Sequence, residues 1–196
     1  IKPDGTVDPD KIKPDMLDIR FGNLCNLKCR TCSPTYSSSI AVEHNKMHPR
    51  DSVQILYDLK NTTVDKIFEK LNVVKHIYIA GGEPLMAPSV WKLFEWFKDN
   101  PEKAKKLRFA VNSNLIMPED RLDTLIESAK KFKAFDIYTS AESFGRNQEF
   151  VRDGFDWDIW ERNITKLLAA PQIRAVHIMM TLSALSVWTT DKFLEK

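Results

Sequence analysis

Two hydrophobic rhythms alternate along the chain. Short runs dense in apolar and β-branched residues have strand length: MLDIRF (16–21), VVKHIYIA (73–80), LRFAV (107–111), AFDIYTS (134–140) and IRAVHIMMTL (173–182). Between them lie longer segments whose apolar residues recur every three or four positions: SSSIAVEHNKM (37–47), TTVDKIFEKL (62–71), SVWKLFEWFKDN (89–100), PEDRLDTLIESAKKF (118–132) and WDIWERNITKLLAA (157–170). A last helix begins in TTDKFLEK (189–196). Thr63 is the expected N-cap of the second helix. In the third, Val90, Leu93, Phe94 and Phe97 make one apolar stripe, which predicts a core face rather than a binding face. Pro118 and the acids after it open the fourth helix, and Lys130, Lys131 and Lys133 close it.

Strands separated by helices predict parallel βα units with right-handed crossovers, hence an α/β fold. The sheet is expected to curl into a partial (β/α)6 TIM-like barrel of parallel strands, and the sequence stops in the helix after the fifth. An extended N-terminal segment rich in Pro, Asp and Lys (1–15) precedes the core (16–196), which reads as one domain without repeats or linkers and as incomplete at its C-terminus. In such folds ligands sit at the C-terminal ends of the strands. All the unusual polar or glycine-rich stretches fall there. A cysteine loop follows the first strand, GGEP the second and NSN the third, while SAES ends the fourth.

Composition narrows the possibilities. The 196 residues are 43% hydrophobic and 29% charged, and the net charge is +2. Near-neutrality argues against a general nucleic-acid or membrane binder. No apolar run approaches the ~20 residues of a membrane helix, and the N-terminus has no signal-peptide core. The expected location is cytoplasmic, where thiols stay reduced. The first residue is Ile, which reads as a fragment of a longer chain.

The three cysteines, Cys25, Cys29 and Cys32, all lie in NLCNLKCRTCSP. Disulfide pairing leaves one over. A structural zinc site wants four ligands, and the fourth would be a distant His44, His48, His76 or His177, none in a ligand-like pair. Three thiolates suit a [4Fe-4S] cluster with one iron left open, and an open position distinguishes a catalytic centre from a structural one. Lys28 and Arg30 stand between the cysteines, where they can offset negative charge or simply be solvated.

CNLKCRTC after the first strand resembles the CxxxCxxC signature of the radical S-adenosylmethionine (radical SAM) superfamily, and GGEP resembles that superfamily's GGE motif. NSN and TSAESFGRNQEFVRDG resemble its later cofactor-binding segments. LDIRFGNLCNLKCRTCSP is most similar to members carrying a C-terminal twitch or SPASM-type domain. The resemblance implies that each cysteine ligates one iron and that S-adenosyl-L-methionine chelates the fourth. It also implies an enzyme: one electron cleaves the sulfonium, and the 5′-deoxyadenosyl radical takes hydrogen from a substrate, here a peptide or protein side chain or a small molecule. An electron donor such as flavodoxin or ferredoxin follows, and neither a membrane nor a nucleic acid is expected as a partner. The competing reading is an iron-sulfur binding or sensing module without radical chemistry.

By the same resemblance, the Gly81 and Gly82 backbone meets the methionine amino group. Glu83 supplies an acceptor beside Pro84, and Ser113 and Asn114 bond the carboxylate or ribose. Ser140 and Arg152 match positions that contact the ribose and the carboxylate in some relatives, and Glu142 is an equally reasonable ribose partner. Met180 and Thr181, ending the fifth strand, stand near the adenine, with core packing the alternative job for Met180. Relatives often carry an aromatic just before the third cysteine, where this chain has Thr31. Phe21 and Tyr36 are the alternatives for that contact.

Overall fold

Each of the five apolar runs becomes a strand, and all five join one parallel sheet. The computed structural model describes residues 4–6, 14–71 and 73–196, so most of the expected extended segment (1–15) lies outside the described residues. In chain order the elements are β1 (Met16–Arg20), β2 (Lys28–Cys29), α1 (Ser38–Met47), α2 (Asn61–Lys70), β3 (His76–Ala80), α3 (Pro88–Asp99), α4 (Pro101–Ala104) and β4 (Arg108–Ser113). They continue as α5 (Glu119–Ala129), β5 (Ala134–Ser140), α6 (Gly145–Val151), β6 (Arg152–Asp153), α7 (Trp157–Leu168), β7 (Ala175–Met179) and α8 (Thr190–Leu194). The sheet order is β1-β3-β4-β5-β7, so each strand lies beside the next one in the chain. This is the arrangement expected of a partial TIM-like barrel.

One face of the sheet is apolar and carries the core. In register, Ile77 pairs with Phe109 and Phe109 with Phe135. The two phenylalanine rings stack at 5.2 Å, and Phe94 and Phe97 from α3 pack on Phe109. The stripe read from the sequence is this face: Val90, Leu93, Phe94 and Phe97 are all buried. Burying such rings stabilises by roughly 1.5–3 kcal/mol each. The other face is polar: Tyr78 meets Tyr138 edge-on, Tyr138 stacks on His177 at 4.4 Å, and Arg20 lies over Tyr78.

Two local expectations are corrected, and one pairing is new. Helix α2 starts at Asn61 after Lys60, with no side-chain cap, so Thr63 lies inside its first turn. Helix α5 ends at Ala129, leaving Lys130, Lys131 and Lys133 beyond it, and Lys133 instead donates its N–H to Leu107. The antiparallel pair β2–β6 was not foreseen, because two residues carry no periodicity. No helix is long and apolar enough to cross a membrane among the described residues.

Candidate active site

The strand ends dictate where the site forms. Beyond β1, Phe21 is buried and anchors the chain, and Gly22 then bends it beneath the turn that follows β3. Gly82 N–H donates to Gly22 O at 3.3 Å, and Glu83 N–H donates to Leu24 O at 2.6 Å. This contact leaves no room for side chains: a Cβ on Gly81 would meet Gly22 O at 2.7 Å, and one on Gly82 would meet Leu24 O at 2.4 Å. Gly81 also holds φ at +134°, a region L side chains rarely adopt. The paired glycines therefore press the GGEP turn onto the loop that leads into the cysteines.

Asn23 organises that loop, a role the sequence reading missed. Its amide donates to Thr35 O and Gln54 O, and its Oδ1 accepts from Leu56 N–H at 2.9 Å. The start of α1 completes the frame. Ser37 Oγ donates to Leu27 O at 2.8 Å and Ser39 Oγ to Cys25 O at 2.6 Å, while Ser38 Oγ accepts from Cys25 N–H. Ser37 also caps α1 by accepting from Ile40 N–H. The detectable signal was the serine run SSS directly after a cysteine loop, since serines at a helix start are natural bonding partners for nearby backbone.

The three sulfurs line one cavity of about 410 Å³. Burial pushes the Cys25 thiol up to about 11. Burial also raises Cys29, opposed by the nearby Arg152 guanidinium. Both are protonated thiols near neutral pH, so loading a metal must release their protons. Among the described residues, no three His, Cys, Asp or Glu side chains converge as one ion would require. Four thiolates around one zinc stand about 3.8 Å apart by tetrahedral geometry with 2.3 Å bonds. None of the four histidines lines the cavity, so none is placed to complete a zinc site there. The donor set is three cysteines lining one shared space, which fits a cluster that takes one cysteine per iron.

Of the residues expected to hold the cofactor, Gly81, Gly82, Ser113, Asn114, Ser140 and Arg152 line this cavity. Asn112 and Thr181 join them, and so does Thr31, which is exposed. Tyr36 also lines it and is 65% exposed, whereas Phe21 is buried away from it. Lys28 pairs with Glu43 and Asp153, and Arg30 stacks on Phe150 at 4.2 Å, so neither positive side chain is left free to face the sulfurs.

Four expected residues lie elsewhere, each for a physical reason. Pro84 is buried at the start of a short 3-10 turn, Pro84–Met86, and it is Pro88 that opens α3. Met180 lies past the end of β7 in an apolar groove with Trp157 and Trp160 of α7. The Glu142 carboxylate is fully buried and takes a bidentate pair from Arg152. The buried Glu83 carboxylate is taken up within the protein: Oε1 accepts from Ser113 Oγ at 2.9 Å and Oε2 from Asn114 N–H at 2.7 Å. It therefore latches the β3 turn to the β4 loop. Asn114 extends the latch by donating to Asn26 Oδ1 at 2.8 Å.

Burial raises the Glu83 pKa to about 7, against the bonds from Asn114, Ser113 and Leu85 that lower it. Between its ordinary value of 4.5 and about 7 the folded chain holds a proton that the unfolded chain releases. Stability from this group is thus greatest below that window and declines as pH rises through it, by on the order of a few kcal/mol at most. Urea midpoints should fall from pH 5 to pH 8, and Glu83→Gln should flatten the decline. An equal decline in the variant would refute the assignment.

Residues 19–195 match the family model described as "Radical SAM superfamily". No curated protein matches the sequence. The fold is similar to the structure titled "Native anSMEcpe with bound AdoMet", with a TM-score of 0.65 and 20% identity over 92% of this chain and 48% of that one. It is also similar to "Native anSMEcpe with bound AdoMet and Kp18Cys peptide", at 0.64 and 21% over 93% and 48%. The chain spans about half the length of the solved structures it matches.

Proposed function

Because the chain belongs to the radical SAM superfamily, whose members use a [4Fe-4S] cluster and S-adenosylmethionine, we propose that Cys25, Cys29 and Cys32 hold that cluster and that S-adenosylmethionine occupies the rest of the same cavity. The observation that carries the reading is the donor set: three thiols, and no fourth in the chain, around one cavity with a hydroxyl and carboxamide rim. When bound, the pair supplies reductive cleavage of the sulfonium and hydrogen abstraction from a substrate carbon.

The chain's own residues bind and orient. The Gly81–Gly82 backbone, free of Cβ atoms, receives the methionine amino end. Ser113, Asn114 and Ser140 offer hydroxyl and amide donors to the carboxylate and ribose. Glu83 acts indirectly, by tying Ser113 and the Asn114 N–H to the glycine turn. Tyr36 takes the adenine, the part that an aromatic before the third cysteine plays in relatives. Stacking a base on an aromatic ring is worth about 1–3 kcal/mol. Tyr36→Ala should therefore weaken S-adenosylmethionine binding about tenfold or more in equilibrium dialysis of the anaerobically loaded protein, leaving iron content unchanged. Unchanged affinity would shift the adenine to another wall.

The substrate is proposed to be a peptide or protein side chain. Two features favour it: the cysteine-loop sequence, which resembles members with twitch or SPASM-type domains, and a similar solved structure that carries a bound peptide. The electron would come from a flavodoxin- or ferredoxin-type donor. The test is anaerobic reconstitution of a chain extended past Lys196, then dithionite, S-adenosylmethionine and chromatography for 5′-deoxyadenosine. Product formation is the expected result. A fully loaded protein that makes none would leave an iron-sulfur binding module.

A further inference from the structure

The cysteines do not share one environment. Cys25 Sγ accepts only the Leu27 N–H at 3.5 Å, and Cys32 Sγ lies near Ser33 O. Cys29 Sγ has a charged neighbour, Arg152 Nη1, at 3.5 Å. Among the described residues it is the one cation bonded to any of the three sulfurs. The contact is built rather than incidental. Cys29 and Arg152 are register partners in the β2–β6 ribbon, and Arg30 N–H donates to Val151 O at 2.9 Å beside them.

Glu142 aims the guanidinium. Arg152 Nε donates to Glu142 Oε2 at 2.8 Å and Nη2 donates to Oε1, so the fork is fixed and one nitrogen remains for sulfur. The Glu142 N–H donates to Gln148 Oε1 and its carbonyl accepts from Thr190 Oγ1, which locks the carboxylate's backbone in turn. The side chain of Glu142 is wholly buried and that of Arg152 only 12% exposed, so solvent screens this pair little.

We propose that Arg152, aimed by Glu142, is a positioning residue that sets the reduction potential of the cluster through the Cys29 thiolate. The inference rests on the cluster reading given above. Reduction adds one electron and no proton to the centre, so the reduced state carries one more negative charge. A buried guanidinium bonded to a ligating sulfur stabilises that state more than the oxidised one and raises the potential. Glu142 partly cancels this charge while fixing its direction. The two residues thus act with opposite signs.

Opposite signs make the test selective. Wild type, R152Q, R152K and E142Q are reconstituted anaerobically and assayed for iron and sulfide. Each is then titrated by EPR-monitored reduction without S-adenosylmethionine, so that any cofactor contact of Arg152 is silent. R152Q should move the midpoint negative, so that the reduced-to-oxidised ratio at a fixed potential falls about tenfold, equivalent to 59 mV for one electron. R152K, which keeps the charge without the fork, should move less in the same direction. E142Q should move positive. Midpoints that are unmoved, or that shift the same way in R152Q and E142Q, overturn the inference while leaving the cluster reading intact. Should R152Q not load, the signs of R152K and E142Q decide alone. A wild type that assembles no cluster overturns the cluster reading itself, and the inference with it.

Discussion

Replacing Cys32 with Ala is expected to abolish cluster assembly and S-adenosylmethionine cleavage while leaving the fold intact. Cys32 is the exposed member of the three; beyond a long Sγ contact with Ser33 O it is held through its backbone N–H, which an alanine keeps. Losing one of three thiolates leaves an iron without a protein ligand. Reconstituted iron and sulfide should fall to less than roughly a tenth of wild type, because metal affinity is built from the ligand set. Cys25→Ala and Cys29→Ala should lose the cluster as completely. Both also remove atoms packed against the core, so their melting temperatures should drop where that of Cys32→Ala does not. Cys32→Ala that still binds a full complement of iron and cleaves S-adenosylmethionine would remove the basis of the functional reading.

The second large effect belongs to a residue without a side chain. Gly82→Ala would place a Cβ 2.4 Å from Leu24 O and 2.6 Å from Asn23 O, closer than real Cβ atoms approach any heavy atom. These are backbone atoms, held by the Asn23 bonds to Gln54 and Leu56 and by Glu83 N–H on Leu24 O, so no side chain can swing aside. The turn must lift off the cysteine loop, breaking at least the 2.6 Å bond from Glu83. Overpacking of this kind typically costs about 1–3 kcal/mol, and more where only backbone can yield. The expected outcome is a melting temperature lower by several degrees, together with loss of S-adenosylmethionine binding in whatever protein remains folded. By contrast Gly145→Ala, where no atom lies within 4 Å, carries only the strain of its positive φ. Equal stability of G82A and wild type would contradict the packing described.

The order of elements, the apolar stripe of α3 and the gathering of motifs at the strand ends were all legible in the residues, because period and β-branching report burial directly. The cysteine spacing was legible for another reason: three thiols in eight residues have few alternative uses. Side-chain direction was not. Glu83 follows two cavity-lining glycines yet spends its carboxylate on Ser113 and Asn114, about thirty residues along at the end of β4. That Glu142 and Arg152 form one ion pair, with Arg152 also lining the cavity, was not legible either. That Tyr36 lines the cavity while Phe21 is buried apart from it follows from a loop exposing the one and a strand end burying the other, which no local pattern encodes. Asn23 escaped notice because an asparagine ahead of a cysteine loop is an ordinary turn residue until Gln54 and Leu56 arrive beside it.

The ribbon joining Cys29 to Arg152 spans 123 positions of sequence. The cysteines leave the ribosome well before the strand that braces them and the guanidinium that faces them, which are made only after β5 and α6. Local pairs close in microseconds or less, whereas this one waits for most of the sheet. During synthesis the chain thus passes through a stage in which three thiols are present but their wall is missing. The wall of the cavity is complete only once residue 153 has emerged.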